Sequence, residues 1–268
     1  MMLLVLGALV GVVLGLTGAG GGMLGAPALM WAMQWNLAQA GPVALLAVVA
    51  AASLGALDGL RKRLLRWRAA LLMATAGIPA SALGGWLALR SPQALLQVLF
   101  ALAMLAAALR QLRAGAGRSE ENEADLGRIA RVCEKTGRFQ WNAPTFALIA
   151  AIGAVSGLLT GLLGVGGGFV MVPLLRRFSN VRMHGIVATS LSVIALVGLF
   201  SVAMHWPHLN PDQSRAAWAF VIAAMAGMLL GRHLAARLPA ARVQLAFACL
   251  LIVVAGQMLW RALAHIAA

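Results

Sequence analysis

The first 57 residues contain no Asp, Glu, Lys, Arg or His. After the first charge, Asp58, uncharged runs of about 20 residues recur, each long enough to cross a bilayer as a helix. A soluble domain carries roughly 25% charged residues; this chain carries 10%, with 62% hydrophobic residues and a mean hydropathy of +0.90. The apolar runs are solid rather than alternating, which excludes a β-barrel and leaves membrane-spanning helices. The chain therefore reads as an all-α polytopic protein of an inner (plasma) membrane, since outer membranes take barrels. Tyr is absent, and Trp35, Trp67, Trp86, Trp141, Trp206 and Trp260 lie near segment ends, where interfacial aromatics belong. Met1–Gly11 lacks the basic start of a cleaved signal peptide.

A second feature divides the chain. The stretch from Gly15 to Pro27 (GLTGAGGGMLGAP) returns from Gly161 to Pro173 (GLLGVGGGFVMVP), shifted by 146 residues. Gly15, Gly18, Gly20, Gly21, Gly22 and Pro27 meet Gly161, Gly164, Gly166, Gly167, Gly168 and Pro173 without a gap. Such self-similarity marks a duplicated unit. Arg90-x-Pro92 and Arg237-x-Pro239 extend the match. The expected division is a first transmembrane repeat over 1–112, a linker over 113–142 and a second repeat over 143–268. The linker holds five of the seven acidic residues and is expected to include a short helix near Glu121–Glu134.

Eight hydrophobic blocks follow, giving about ten helical segments. In the first half they are 1–35, interrupted by the glycines, then Ala40–Leu60, Ala69–Leu89 and Gln93–Leu109. In the second half they are 143–175, interrupted likewise, then Gly185–Met204, Ala216–Leu234 and Val243–Trp260. If every block crossed once, the repeats would be parallel, with 14 Lys/Arg on the linker side and seven opposite. If the chain instead turns back at each glycine cluster, the two repeats are inverted. The linker side then holds 18 Lys/Arg and only Arg90, Arg215 and Arg261 lie opposite. The positive-inside rule selects the inverted arrangement with a cytosolic linker. Each repeat is then a glycine-tipped hairpin plus three transmembrane helices, a transporter architecture. Tags at both ends of the chain should be accessible on the face opposite the linker.

Adjacent glycines do not serve helix stability, since each costs roughly 1 kcal/mol relative to Ala in a helix interior. They allow close approach of a ligand or a second chain. Where a helix restarts after them, free N–H groups and about half a positive charge face inward, a natural anion site. Gly11, Gly15, Gly157 and Gly161 are read as close helix-packing positions. Gly20, Gly22 and Gly25 satisfy G-x-G-x-x-G, but no strand–helix context or acidic ribose partner follows, so a dinucleotide is excluded.

No acidic residue or lysine lies deep in a span, which argues against a proton or cation pathway. Asp58 is read as a juxtamembrane ion-pair partner and Asp212 as a helix cap. Arg182 and Arg232 are read as boundary anchors before anion attractors. The polar groups left in the spans are hydroxyls and amides, densest in Ala188-Thr-Ser-Leu-Ser192. Each hydroxyl singly is expected to bond its own helix; as a set, Thr189 and Ser190 are candidates for oxyanion contact, with His184 beside them. Cys133 and Cys249 form no metal or disulfide pattern, and His205 with His208 makes a weak metal pair. No cofactor is implied. The net charge of +14 follows spans rather than one polar face, so nucleic acid is not an expected partner.

With two G-x-G-G-G copies each followed by Pro, a Thr-Ser pair after the second copy and a linker between, the chain resembles the sulfite exporter TauE/SafE family of anion permeases. The resemblance implies a small sulfur-containing anion as substrate, such as sulfite, thiosulfate, sulfoacetate or a taurine-related compound. One departure stands out: aligning Gly41-x-Val-Ala44 with Gly185-x-Val-Ala188 sets Leu45-Leu46 against Thr189-Ser190. The two half-sites cannot be chemically equivalent.

The expected site is a midplane cradle of N–H groups at Gly20, Gly21, Gly22, Gly166, Gly167 and Gly168, with Thr189, Ser190, Thr17 and Thr160 completing it. On this reading Gly167→Leu abolishes flux and leaves folding and insertion intact. The partners are the small anion and the lipid bilayer. The alternatives are an intramembrane enzyme, for which the five scattered histidines offer no nucleophile–base or metal cluster, and a non-transporting membrane scaffold in which the glycines only pack.

Overall fold

The ten α-helices of the computed structural model follow from the apolar runs just described. The structure describes residues 2–116, 130, 141–179, 181, 183–205, 211–235 and 240–267. The first half comprises α1 (Met2–Thr17), a 3-10 turn (Gly18–Leu24), α2 (Gly25–Met33), α3 (Leu37–Arg61), α4 (Trp67–Arg90) and α5 (Gln93–Ala116). The second comprises α6 (Ala143–Leu163), α7 (Gly168–Phe178), α8 (Met183–His205), α9 (Pro211–Ala235) and α10 (Ala240–Ala267). Helices α3, α4, α5, α6, α8, α9 and α10 are long and apolar enough to cross a membrane. The protein is an all-α, multi-pass integral membrane protein.

Local chemistry sets several boundaries. Gln34, left-handed at φ 54°, ends α2. Asn36 then opens α3 with a reciprocal cap: its side chain accepts from Gln39 N at 2.8 Å, and Gln39 Oε1 accepts from Asn36 N at 3.2 Å. Helix α5 runs to Ala116, beyond the boundary expected at 112. The expected linker helix, Cys133, Arg182, Trp206, His208, Arg237 and Pro239 lie outside the described residues, as do the side chains of Asp212 and Arg215.

Glycine stripes fix how the long helices pack. Gly7, Gly11 and Gly15 of α1 lie against Phe220, Ala224 and Met228 of α9, numbers rising together, so the two helices run parallel. Gly153, Gly157 and Gly161 of α6 lie against Met73, Gly77 and Ser81 of α4 in the same parallel sense. A Cβ at Gly7 would come to 2.8 Å from the Phe220 carbonyl oxygen, and one at Gly11, Gly157 or Gly161 would overlap facing backbone outright. The packing role expected for Gly11, Gly15, Gly157 and Gly161 is what the structure displays.

At the centre, Gly59 meets Ala188, Gly55 meets Leu191 and Gly198 meets Val49, so α3 and α8 run antiparallel. That relation decides the topology. Single crossings throughout would make α3 and α8 parallel; turning back at the glycines makes them antiparallel. Asp58, at the end of α3, forms ion pairs with Lys62 (3.0 Å) and with Arg232 of α9. The parallel-repeat arrangement would have placed Asp58 and Arg232 on opposite faces of the membrane. Ala130 of the linker pairs with Ser179 at the end of α7, its N–H donating to Phe178 O at 3.1 Å. Both ends of the second hairpin therefore lie on the linker side, as inversion requires.

Candidate functional site

The two glycine clusters meet near the middle of the bundle. A Cβ at Gly22 would lie 3.0 Å from the carbonyl oxygen of Val165 and 3.0 Å from Val48 Cγ2. One at Gly166 would lie 3.1 Å from both Val48 Cγ1 and Ile194 Cγ2. Val48 and Ile194 are mid-helix residues of α3 and α8, so Gly22 and Gly166 mark the midplane. The outer members reach past it. Gly18 lies against Val187, near the start of α8, and Gly164 against Gly41, near the start of α3.

The clusters differ in backbone. In the first, Gly18 is left-handed (φ 74°); the chain then coils through the 3-10 turn into α2, and the Gly25 N–H bonds Gly22 O. The expected free helix N-terminus is not formed there, because 3-10 bonding carries the chain across without a break. In the second, Gly164 (φ 66°), Gly166 (φ 83°) and Gly167 (φ 52°) are all left-handed. Gly164 closes α6 by donating to Thr160 O at 2.9 Å, and α7 restarts at Gly168. No acceptor among the described residues takes the N–H of Gly166, Gly167 or Gly168. This is the inward-facing helix start that the glycines suggested.

Not every glycine faces the seam. A Cβ at Gly21 would overlap Leu14 of α1, and one at Gly167 would overlap Ser156 of α6 and lie 2.7 Å from Thr160 Oγ1. Each therefore packs on its own hairpin arm. Ser156 Oγ also donates to Gly167 O at 3.0 Å. Gly167→Leu would collide with backbone, so it does not leave the fold intact, contrary to the sequence-based expectation. Gly20 lies within the 3-10 turn.

The hydroxyls sort similarly. Thr17 donates to Val13 O (2.8 Å), Thr160 to Ser156 O (2.8 Å), Thr189 to Gly185 O (2.7 Å) and Ser192 to Ala188 O (2.9 Å). These are the i−4 bonds expected of single Ser and Thr residues in a span. Thr189 Oγ1 also receives the Arg66 N–H at 3.4 Å, which turns it toward the α3–α4 loop. There the Arg66 guanidinium lies beside Gly185, and burial holds its pKa below the usual arginine range.

Ser190 is the exception. Its side chain is fully buried and its Oγ has no partner among the described residues. Residues three before and four after a position share its helix face. Ser190 thus shares a face with Val187, which touches Gly18, and Ile194, which touches Gly166. Of the four candidate hydroxyls, this one occupies the seam between the tips with bonding capacity to spare. Sequence reasoning grouped it with Thr189; their adjacency on a helix, about 100° apart, sends them to different places. Ser156 was not singled out, and only its contact with Gly167 identifies it.

A small cleft beside the tips is lined by Gly41, Pro42, Leu45, Thr160, Gly164 and Ser201. Among the described residues no group of three or more His, Cys, Asp or Glu is placed to hold a metal.

Over 267 residues the chain is 29% identical to a probable membrane transporter protein of Xylella fastidiosa (strain 9a5c), covering 98% of this chain and 95% of that one. A second probable membrane transporter protein, from Xylella fastidiosa (strain Temecula1 / ATCC 700964), is 28% identical with the same coverage. No solved structure matches the chain. The family model described as sulfite exporter TauE/SafE matches residues 3–258, and the chain, a membrane transporter, belongs to that family.

Proposed function

We propose that this transporter is a permease for a small sulfur-containing anion, bound at the midplane between the two hairpin tips. The reading takes 1–112 and 143–268 as inverted repeats joined by a cytosolic linker over 113–142. The observation that carries it is Ser190: a fully buried hydroxyl, without a partner among the described residues, on the α8 face that runs from Gly18 to Gly166. A buried polar group without a partner is rare enough to need an explanation. A ligand oxyanion accepting from Ser190 Oγ and from the N–H groups of Gly166–Gly168 supplies one. The anionic charge is met by the start of α7 rather than by a cationic side chain. Rocking of one repeat against the other would expose the seam to each side in turn.

The substrate class follows from family membership and is tested by binding. Sulfite, thiosulfate, sulfoacetate and taurine are titrated against the purified protein by thermal shift, with chloride as control. At least one sulfur compound should raise the melting temperature, and Ser190→Ala should need about ten times more of it for the same shift while the unliganded protein melts close to the parent. Equal shifts with chloride, or a shift that Ser190→Ala leaves at full size at every concentration, would overturn the assignment.

A further inference from the structure

A second polar site lies away from the tips. Helices α2, α5 and α10 enclose a cleft whose lining includes Trp31, Gln97, Val254, Gln257, Met258 and Arg261. Gln97 is 5% exposed, yet its Oε1 is buried without a hydrogen-bond partner among the described residues. The oxygen and nitrogen of such an amide are interchangeable by a flip, so the unmet group is the amide end rather than one atom. Across the cleft, Gln257 and Arg261 lie four apart on α10 and project from one face. Arg261 makes no ion pair with any described residue. By contrast Arg90, also on the linker-opposite side, is stacked over Trp86 at 3.9 Å.

One guanidinium and two amides line this cleft beside the apolar Val254, Met258 and the ring of Trp31, which is 52% exposed. Gln97 lies near the start of α5 and Arg261 near the end of α10, so the cleft sits at the membrane boundary opposite the linker. Val253 and Trp260, beside it on α10, are largely exposed, as lipid-facing residues are. A charged and amide-lined head over an apolar wall at this depth matches a phosphate diester carrying acyl chains.

We propose that this cleft binds the headgroup of an anionic phospholipid. Its phosphate pairs with Arg261, the Gln97 and Gln257 amides bond phosphate or glycerol oxygens, and the acyl chain lies along Val254 and Met258. Because Trp31 belongs to α2, the short arm of the first hairpin, a bound headgroup braces that arm against α5 and α10.

The test uses the full chain in detergent, with phosphatidylglycerol, phosphatidylcholine or free glycerol phosphate added. Phosphatidylglycerol should raise the melting temperature on the order of 3 °C above phosphatidylcholine, and glycerol phosphate should have no effect. Arg261→Gln and Gln97→Leu should each erase the difference between the lipids, while Arg90→Gln retains it. Without lipid, Gln97→Leu should melt no lower than the parent, since it removes a buried amide oxygen that has no partner among the described residues. A phosphatidylglycerol preference that survives both substitutions, or no preference in the parent, overturns the proposal. A shift from glycerol phosphate alone equal to that from the lipid does so too, by making the cleft a free-oxyanion site. The outcome is independent of the Ser190 assignment, which none of these substitutions touches.

Discussion

The two hairpins share a scaffold and differ in chemistry. Gly7, Gly11 and Gly15 in α1 repeat as Gly153, Gly157 and Gly161 in α6, and each triad holds its helix in parallel backbone contact with a helix of the other half. Beyond the triads the hairpins diverge. The first winds through its glycines as a 3-10 turn, with hydrogen bonding carried into α2. The second breaks over three left-handed glycines and starts a new helix with open N–H groups. The helix that follows carries Leu45-Leu46 in the first repeat and Thr189-Ser190 in the second. Packing was kept in both copies, whereas the open N–H groups and the hydroxyl without a partner among the described residues belong to the second.

The largest effects test the shared part. Gly11→Leu and Gly157→Leu occupy matching places, and each would drive a side chain into the backbone of α9 or α4. Overpacking a close interface costs about 1–3 kcal/mol and more where backbone is struck, so both variants should lose at least about 3 kcal/mol. Size-exclusion profiles and circular-dichroism melts should show comparable collapse. If only Gly157→Leu fails, the equivalence of the two seams is broken.

Next come the glycines at the seam itself. Gly166→Ala places a side chain at φ 83°, and left-handed backbone costs a non-glycine residue roughly 1–2 kcal/mol. Its Cβ also approaches Val48 and Ile194 at 3.1 Å. Gly22→Ala keeps a helical backbone and meets only the 3.0 Å contacts with Val165 O and Val48 Cγ2. Thermal melts should therefore show a loss of about 1–2 kcal/mol for Gly166→Ala and less for Gly22→Ala. Ligand-induced stabilisation should fall more in the former. Equal effects would mean that the backbone break in the second hairpin has no functional weight.

Much of this was readable from the chain because bilayer physics restricts it. A 20-residue apolar run has one stable form there, so α3 was expected at Ala40–Leu60 and found at Leu37–Arg61, and α8 at Gly185–Met204 and found at Met183–His205. Inversion followed from where arginine was placed, and the antiparallel packing of α3 and α8 agrees with it. The site was less legible. Gly21 and Gly22 are indistinguishable as letters, yet one packs on Leu14 and the other faces Val165. Thr189 and Ser190 are adjacent, yet only three-dimensional packing separates a hydroxyl bonded to Gly185 O from one bonded to nothing described. A glycine cluster reports that backbone comes close; which backbone, and whether its N–H groups are already used, depends on φ and on partners that can lie more than a hundred residues away.

Ser190→Ala isolates the chemical difference from the packing. Because Oγ has no described partner, its removal breaks no bond, and stability should stay within about 1 kcal/mol of the parent. Binding of the sulfur anion should weaken about tenfold, the value of one hydrogen bond to a charged group. Thr189→Ala should leave binding nearly unchanged, since its hydroxyl already serves Gly185 O. Isothermal titration of both variants measures this. Equal losses would return the pair to equal standing and remove the assignment of the seam to Ser190.

The smallest effect concerns the ends of the hairpins. On the linker side Asp58 ties α3 to α9 through Arg232, next to where Gly15 packs, with Lys62 adding a second contact. Nothing comparable can join α8 to α4 on the opposite side, because neither helix contains an acidic residue. The carboxylate is about one-third exposed, and pairs of that kind contribute about 0.2–1 kcal/mol. Asp58→Asn should therefore lower stability by no more than about 1 kcal/mol, and the difference should shrink toward zero near 1 M salt, where screening acts over about 3 Å. Melts of parent and variant across a salt series check this. A loss of several kcal/mol that persists in high salt would mean that the first hairpin depends on this bolt for its position, and the two hairpins would then differ in what holds them as well as in what they can bind.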